Sequence, residues 1–273
     1  MRIIITGANG FVGGSLMAAL KVNHEILAIS RRQNVENDWL TIDLSEPKAV
    51  KRFEMSSDVV IHCASVLATN DNKKDIALLY ENLRITESVI ALVEKSKPRL
   101  FINLSSIAVY ENSSGTFSEE GKIHPASNIE GLYGLSKFCS EELFNFFFQK
   151  TRIRVVNLRL AQVIGEGMRE DRVYSIMKSE LETRNEITVF GNGSRTSSFI
   201  STNYLIQVIQ RIMVTETVNG TYNLSEYDMS YKEMAESIIK KYGNKNSIIS
   251  YTESAGGKKF SIESDKLLKD LSK

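Results

Sequence analysis

Ile3-Ile4-Ile5-Thr6-Gly7-Ala8-Asn9-Gly10-Phe11-Val12-Gly13 decides the fold. Arg2 to Thr6 is a short apolar, β-branched run of the kind that sits buried on both faces of a parallel sheet, and it runs straight into glycines. Gly7 supplies the tight turn, Gly10 lets backbone approach a pyrophosphate, and Gly13 removes a side chain where the next helix packs on the strand. The helix expected from about Phe11 to Leu20 then offers its free N–H groups and the positive end of its macrodipole to an anion. Three glycines at this spacing are common by chance. A set that follows a strand and opens an apolar helix points to a nucleotide diphosphate, with a merely structural glycine turn as the competing reading.

About a hundred residues further on, Ser106 precedes Tyr133-Gly134-Leu135-Ser136-Lys137. A phenol ionises near pH about 10, so tyrosine is a poor base at neutral pH unless a cation stabilises its anion. Residues four apart share a helix face, which sets the Lys137 ammonium beside Tyr133. Chance places Tyr and Lys at this spacing in many helices. The glycine turn upstream and the strand-end serine give the pair its weight as an acid/base site.

Between and beyond these motifs, strands and helices alternate. Glu25 to Ser30, Asp58 to Cys63, Arg99 to Leu104 and Arg154 to Leu160 read as strands, with helices around Glu81 to Lys95 and Tyr133 to Gln149. Such alternation implies right-handed crossovers and an α/β doubly wound parallel sheet. After Gly165 the pattern loosens into a helix through Ser175 to Glu182, a strand at Ile187 to Phe190, a Gly191-Asn192-Gly193 turn, and segments at Phe199 to Met213 and Thr221 to Leu224. We expect a dinucleotide-binding domain over 1–162, with return elements near 197–214, and a smaller, mainly substrate-binding lobe over 163–273.

Composition narrows the partners. With 273 residues, 42% of them hydrophobic, the chain can fill a core, and 34 basic against 33 acidic residues give no bulk reason to expect nucleic acid or an anionic membrane. Two cysteines, Cys63 and Cys139, fit a reducing compartment better than a disulfide framework, and His24, His62 and His124 are too scattered for a metal site. A strand starting at residue 2 leaves no room for a signal peptide and no uncharged run is long enough to span a bilayer, so a soluble, cytoplasmic protein is expected. Cofactor choice rests on Ser30-Arg31-Arg32: a carboxylate there would hold a ribose 2′-hydroxyl, whereas arginine forks match a 2′-phosphate, and no carboxylate follows until Glu36. NADP(H) is therefore favoured over NAD(H), a solvated basic turn being the alternative.

Gly7-x-x-Gly10-x-x-Gly13, Asp43-Leu44, the Asp58 to Ala64 strand, Asn82, Ser105-Ser106 with Val109-Tyr110, Tyr133-x-x-x-Lys137, Arg159 and Tyr222-Asn223 fall in the order seen in extended short-chain dehydrogenases/reductases. Over roughly residues 1–240 the chain resembles their sugar-nucleotide epimerase/dehydratase/reductase branch. The resemblance implies a Rossmann domain binding NAD(P), a C-terminal lobe binding a nucleotide sugar, and a site in the cleft between them. It further implies that Ser106 holds the reacting oxygen against Tyr133 while Lys137 reaches the nicotinamide ribose. The cofactor positions are then Gly7, Asn9, Gly10, Phe11, Val12, Gly13, Arg31, Arg32, Asp43 at the adenine edge, Leu44 beside the ring, Cys63, Ala64, Ser65 and Asn82, with Tyr133 and Lys137.

Departures from the family pattern bear on the reaction. Dehydratases place an Asp-Glu pair directly after the catalytic Thr or Ser; here Ile107-Ala108 stands in its place, so no acid is present to protonate a leaving hydroxyl. Gln162 replaces the usual Asn, and Ser197-Ser198 the usual Arg-Asp before Phe199. Arg195 is the leading candidate for the substrate diphosphate, ahead of Arg169 and Arg172, with a solvated loop arginine as its alternative. We expect an NADPH-dependent reductase of a 4-keto deoxyhexose nucleotide, in a pathway supplying surface polysaccharide. A nucleotide-sugar 4-epimerase is the second reading and a non-catalytic NADP-binding sensor the third. The Phe-rich end of the helix after Lys137, with Phe144, Phe146, Phe147 and Phe148, fits a homodimer face and core packing equally.

Overall fold

A computed structural model describes residues 1–33, 38–253 and 257–273. β1 (Arg2–Thr6) takes the central place that its unbroken apolar run requires, and four of its five residues are buried. After it come α1 (Phe11–Leu20), β2 (Glu25–Ser30), β3 (Trp39–Thr41), β4 (Val59–His62), α2 (Ala77–Ser96), β5 (Leu100–Ser106), β6 (Gly115–Phe117), α3 (Gly131–Phe148) and β7 (Arg154–Leu160). The remainder adds β8 (Gln162–Ile164), α4 (Val173–Arg184), β9 (Glu186–Phe190), β10 (Thr196–Ser201), α5 (Thr202–Val214), β11 (Gly220–Leu224), β12 (Tyr227–Ser230), α6 (Tyr231–Tyr242), β13 (Ile248–Thr252), β14 (Phe260–Ile262) and α7 (Asp265–Leu271).

Seven strands form one parallel sheet in the order β11-β7-β5-β4-β1-β2-β3. The chain reverses its direction of travel between β1 and β4, and at such a switch point the loops after the strand ends part into a crevice. The expected strands are all present within a few residues. β3 was not expected: three residues are too short to show a period. Of the later segments, Thr221 to Leu224 lies in β11 at the edge of the main sheet, while Phe199 to Met213 divides into the end of β10 and most of α5.

Two layers of helix cover the sheet. On one face Ile3, Ile5 and Ile61 pack with Leu16 and Leu20 of α1 and with Leu205, Val208, Ile209 and Ile212 of α5. On the other face Ile4, Val60 and Phe101 meet Val89 and Val93 of α2 and Phe144 and Phe148 of α3. Phe144 and Phe148 lie one turn apart, and both set their rings edge-on to Phe101. Phe146 and Phe147, on the other side of α3, are 67% and 45% exposed, so the phenylalanine run divides between core and surface. Among the described residues no helix is long and apolar enough to cross a membrane.

A buried ion pair joins α3 to the sheet. Glu141, fully buried, accepts from Arg159 of β7 at 2.8 to 3.2 Å and from the Ser105 hydroxyl of β5. Arg159 also donates to the Tyr110 hydroxyl (2.9 Å), which donates to Asn223 of β11 (2.8 Å). Removing one partner of such a pair strands the other charge, typically at a cost of about 3–5 kcal/mol, whereas removing both costs far less. Glu141→Gln is therefore expected to lower the urea midpoint by the equivalent of about 3 kcal/mol, and Glu141→Leu/Arg159→Leu to recover much of that loss, as followed by circular dichroism.

Candidate active site

The crevice opens at the glycine turn. Gly7 adopts φ +68°, and a Cβ on it would meet the Ala64 backbone nitrogen at 2.6 Å; a Cβ on Gly13 would meet the Gly7 carbonyl at 2.3 Å. Glycine is thus the residue that lets α1 close against the loop after β1. Gly10, the N-cap of α1, provides no side-chain cap, and the first turn, Phe11 to Gly13, carries no acidic residue, so its N–H groups remain for an anion. These features fit a dinucleotide pyrophosphate. Asn9 donates to the Ser30 hydroxyl (2.8 Å), which also accepts from the Arg32 N–H (3.0 Å), tying the glycine turn to the end of β2. Arg31 and Arg32 follow it exposed, while Glu36 lies outside the described residues. Asp43 is exposed and accepts from the Ser45 N–H and hydroxyl, which, with the nearby Arg31 guanidinium, hold its carboxyl below the ordinary value despite a small opposing effect of burial. Leu44 is 5% exposed, with its side chain in the core under α2.

The acid/base candidates converge beside this crevice. Gly134 explains the approach: a Cβ there would meet the Ala108 carbonyl at 2.0 Å, so only glycine lets the first turns of α3 press on the turn that follows Ser106. Ser106 ends β5 and accepts from the Ala108 N–H (3.1 Å). Tyr133 is 8% exposed among Ala68, Leu78 and Ala108, with Ser65 among the polar groups near its hydroxyl. Burial pushes the phenol well above its ordinary range, with Glu130 adding to the rise, while Ser65, Arg172 and Arg169 oppose it. Lys137 stands 5.6 Å from the centre of the Tyr133 ring and donates to the Leu104 carbonyl (3.0 Å). Its burial lowers the ammonium to about 8, against the pull of Cys63 and Glu141. Burial pushes the Cys63 thiol up to about 12, so it stays protonated, and keeps His62 neutral; His62 bonds with Thr6 through Nδ1 (2.7 Å).

Asn82 acts through the loop after β4. Its amide accepts from the Val66 N–H (2.8 Å) and the Ser65 hydroxyl (3.1 Å) and donates to the Val66 carbonyl (2.9 Å), so it fixes Ala64 to Val66 along the crevice. Ser65, which lowers the Tyr133 phenol against the effect of its burial, is held in turn by Asn82, a connection the sequence did not suggest.

Across the crevice, Gln162 in β8 donates to Ser197 of β10 (2.8 Å). Ser198, the other replacement residue, donates to Asp228 (2.5 Å) on the opposite face of β10. Arg195 precedes β10, exposed, with its guanidinium 5.2 Å from the Tyr231 ring. It lies four residues before Phe199, the partner of Gln162, which is roughly 13 Å of extended strand. Arg169 and Arg172 instead come in toward Tyr133: Arg169 donates to the Ala68 carbonyl (3.3 Å) and pairs with Asp171, and Arg172 pairs with Glu130 (2.9 Å). The same segment rests on the cofactor turn, where a Cβ on Gly165 would meet the Phe11 ring at 3.2 Å. Among the described residues no group of three or more His, Cys, Asp or Glu could hold a metal ion.

Charged Lys137 is costly to bury, and the sign of its effect on stability follows. The unfolded lysine binds its proton up to about pH 10.4 whereas the folded one releases it near about 8, so folded stability rises with pH between the two. Lys137→Met is expected to be more stable than the parent at pH 7, by up to roughly 3 kcal/mol, with the advantage fading between about pH 8 and 10.4. Urea titrations across that range test it.

Residues 3–225 match the model of the NAD dependent epimerase/dehydratase family. A UDP-glucose 4-epimerase of Vibrio cholerae is 28% identical over 253 residues, covering 86% of this chain and 74% of the relative. A dTDP-4-dehydro-6-deoxyglucose reductase of Escherichia coli is 24% identical over 277 residues, covering 92% and 84%. The crystal structure of a UDP-glucuronic acid 4-epimerase from Bacillus cereus, in complex with UDP-glucuronic acid and NAD, superposes with a TM-score of 0.81 at 22% identity, covering 100% of this chain and 93% of that one. The family match spans the glycine turn, the strand-end Ser106 and the Tyr133/Lys137 pair, and the chain is an enzyme of the NAD dependent epimerase/dehydratase family, an extended short-chain dehydrogenase/reductase.

Proposed function

We propose that the enzyme reduces the 4-keto group of a deoxyhexose carried on a nucleoside diphosphate, with NADPH as reductant. The observation that carries the hydride-transfer reading, common to a reductase and an epimerase, is the buried Tyr133, held protonated one helical turn from Lys137 near the end of β5, where no neighbouring carboxylate follows Ser106. When bound, the nicotinamide supplies hydride to the carbonyl carbon. Ser106 then positions the carbonyl oxygen by a hydrogen bond, and Tyr133 delivers its proton to that oxygen as charge develops there. Lys137 stabilises the phenolate left behind. With Ile107-Ala108 in place of an acidic pair, nothing in this turn protonates a departing hydroxyl, which argues against dehydration.

Arg31 and Arg32 support NADP(H), since both stand exposed just past the end of β2 with no carboxylate among the described residues that immediately follow. Gly7, Gly10 and Gly13 would take the pyrophosphate at α1, Asn9 and Ser30 would hold the turn that faces the ribose, and Asp43 would reach the adenine edge. Gln162 and Ser197 would meet the sugar nucleotide. A 4-epimerase is the second reading, favoured by the Vibrio cholerae relative; it would use the same Ser106, Tyr133 and Lys137 and retain its cofactor through both half-reactions.

Absorbance of reduced nicotinamide on mixing the protein with a 4-keto-6-deoxyhexose nucleotide separates the two. A reductase consumes NADPH in proportion to added keto sugar; an unchanged trace beside interconversion of a 4-hydroxy sugar nucleotide would establish the epimerase. Tyr133→Phe is expected to lower kcat by about 10²- to 10⁴-fold with little change in cofactor affinity. Arg31→Ala/Arg32→Ala is expected to weaken NADPH binding about 10- to 100-fold and leave NADH binding nearly unchanged, as read by nicotinamide fluorescence.

A further inference from the structure

We propose that Arg172 is a positioning residue for Tyr133 that acts through Glu130: their ion pair neutralises a carboxylate that the start of α3 sets one helical turn from the phenol. The proposal rests on the reading of Tyr133 as the acid/base group and identifies what controls it.

Glu130 is the N-cap of α3, three residues before Tyr133 and so on its side of the helix. Its N–H donates to Asn128 (3.0 Å), its carbonyl accepts from Gly134 (2.8 Å), and its side chain makes no capping bond. An unpaired negative charge there would oppose formation of the Tyr133 phenolate. Arg172, itself the N-cap of α4, reaches across the mouth of the crevice and donates to Glu130 Oε1 at 2.9 Å.

The side chains of Glu130 and Arg172 are 24% and 38% exposed, and pairs at that depth contribute little to stability. Their field matters because the group beside them is buried. The other groups facing Tyr133 are already engaged. Lys137 of α3 is held by the Leu104 carbonyl, with neutral Cys63 and His62 beyond it. Ser65, from the loop after β4, donates to Asn82. Arg169, from the same segment as Arg172, is bound by the Ala68 carbonyl and Asp171. Glu130 raises the phenol and Arg172, bonded to it, lowers it, so the pair sets the balance of charge beside Tyr133.

The test reads ionisation directly. Glu130→Gln, Arg172→Gln and the double variant are each prepared with and without Tyr133→Phe, and the ultraviolet tyrosinate band is followed through alkaline pH. Subtraction isolates Tyr133 among the ten tyrosines. Arg172→Gln is expected to raise the midpoint and Glu130→Gln to lower it, each by about half a pH unit or more, with the double variant returning close to the parent. Single variants that leave the midpoint in place, or that both move it in one direction as loosened packing would, overturn the proposal. Where alkaline unfolding cuts the curve short, the onset of the difference absorbance on its low-pH side carries the same signs. Because ionisation is read without turnover, a protein inactive on every sugar nucleotide would sink the proposed function and leave this result intact.

Discussion

Three polar side chains on successive turns of one buried helix face govern this structure. Tyr133, Lys137 and Glu141 lie at i, i+4 and i+8 on α3, pressed against a sheet rich in buried isoleucine, valine and leucine. Burying such groups without partners costs several kcal/mol each, so every one must be answered. Glu141 is answered by Arg159 and Ser105 and Lys137 by the Leu104 carbonyl, while Ser65 acts on Tyr133 against the effect of its burial. The first pairing locks the helix to the strands; the last two leave a lysine and a phenol poised at the crevice. Structural and chemical roles thus grade into each other along twelve ångströms or so of helix.

The helix can be this close only because of a missing methyl group. Gly134 sits against the Ala108 carbonyl, as Gly13 sits against that of Gly7, and the two contacts bring both motifs to one end of the sheet. In the sequence these glycines look alike. The structure gives both the same task, to admit the backbone of a neighbouring turn.

Much of the fold was legible because its strands are long apolar runs separated by helical spacing, and β1, β2 and β7 match their expected bounds. The approach of Lys137 to Tyr133 was legible because residues four apart share a helix face. Other features were hidden for identifiable reasons. β3 is too short to have a period, and Ser65 comes near Tyr133, 68 positions on, by a loop that no local pattern fixes. Arginines posed the hardest case. Arg195 drew attention by its place after a glycine turn, yet it stacks on Tyr231, while Arg169 and Arg172 arrive beside Tyr133 through a segment whose path depends on Phe11. A guanidinium reaches far enough that its position along the chain says little about where its charge ends up.

The strand order also has a consequence for how the molecule comes into being. β11 completes the sheet beside β7, and α5 covers the face of α1, so the half that bears the glycine turn is finished by residues beyond position 200. A nascent chain that has emerged only as far as β7 carries an open sheet edge and a bare apolar face, both of which invite association with other chains. Closure of these long-range contacts, with their large loop entropy, sets the pace of folding, and the crevice takes shape only when the far end of the chain has come home.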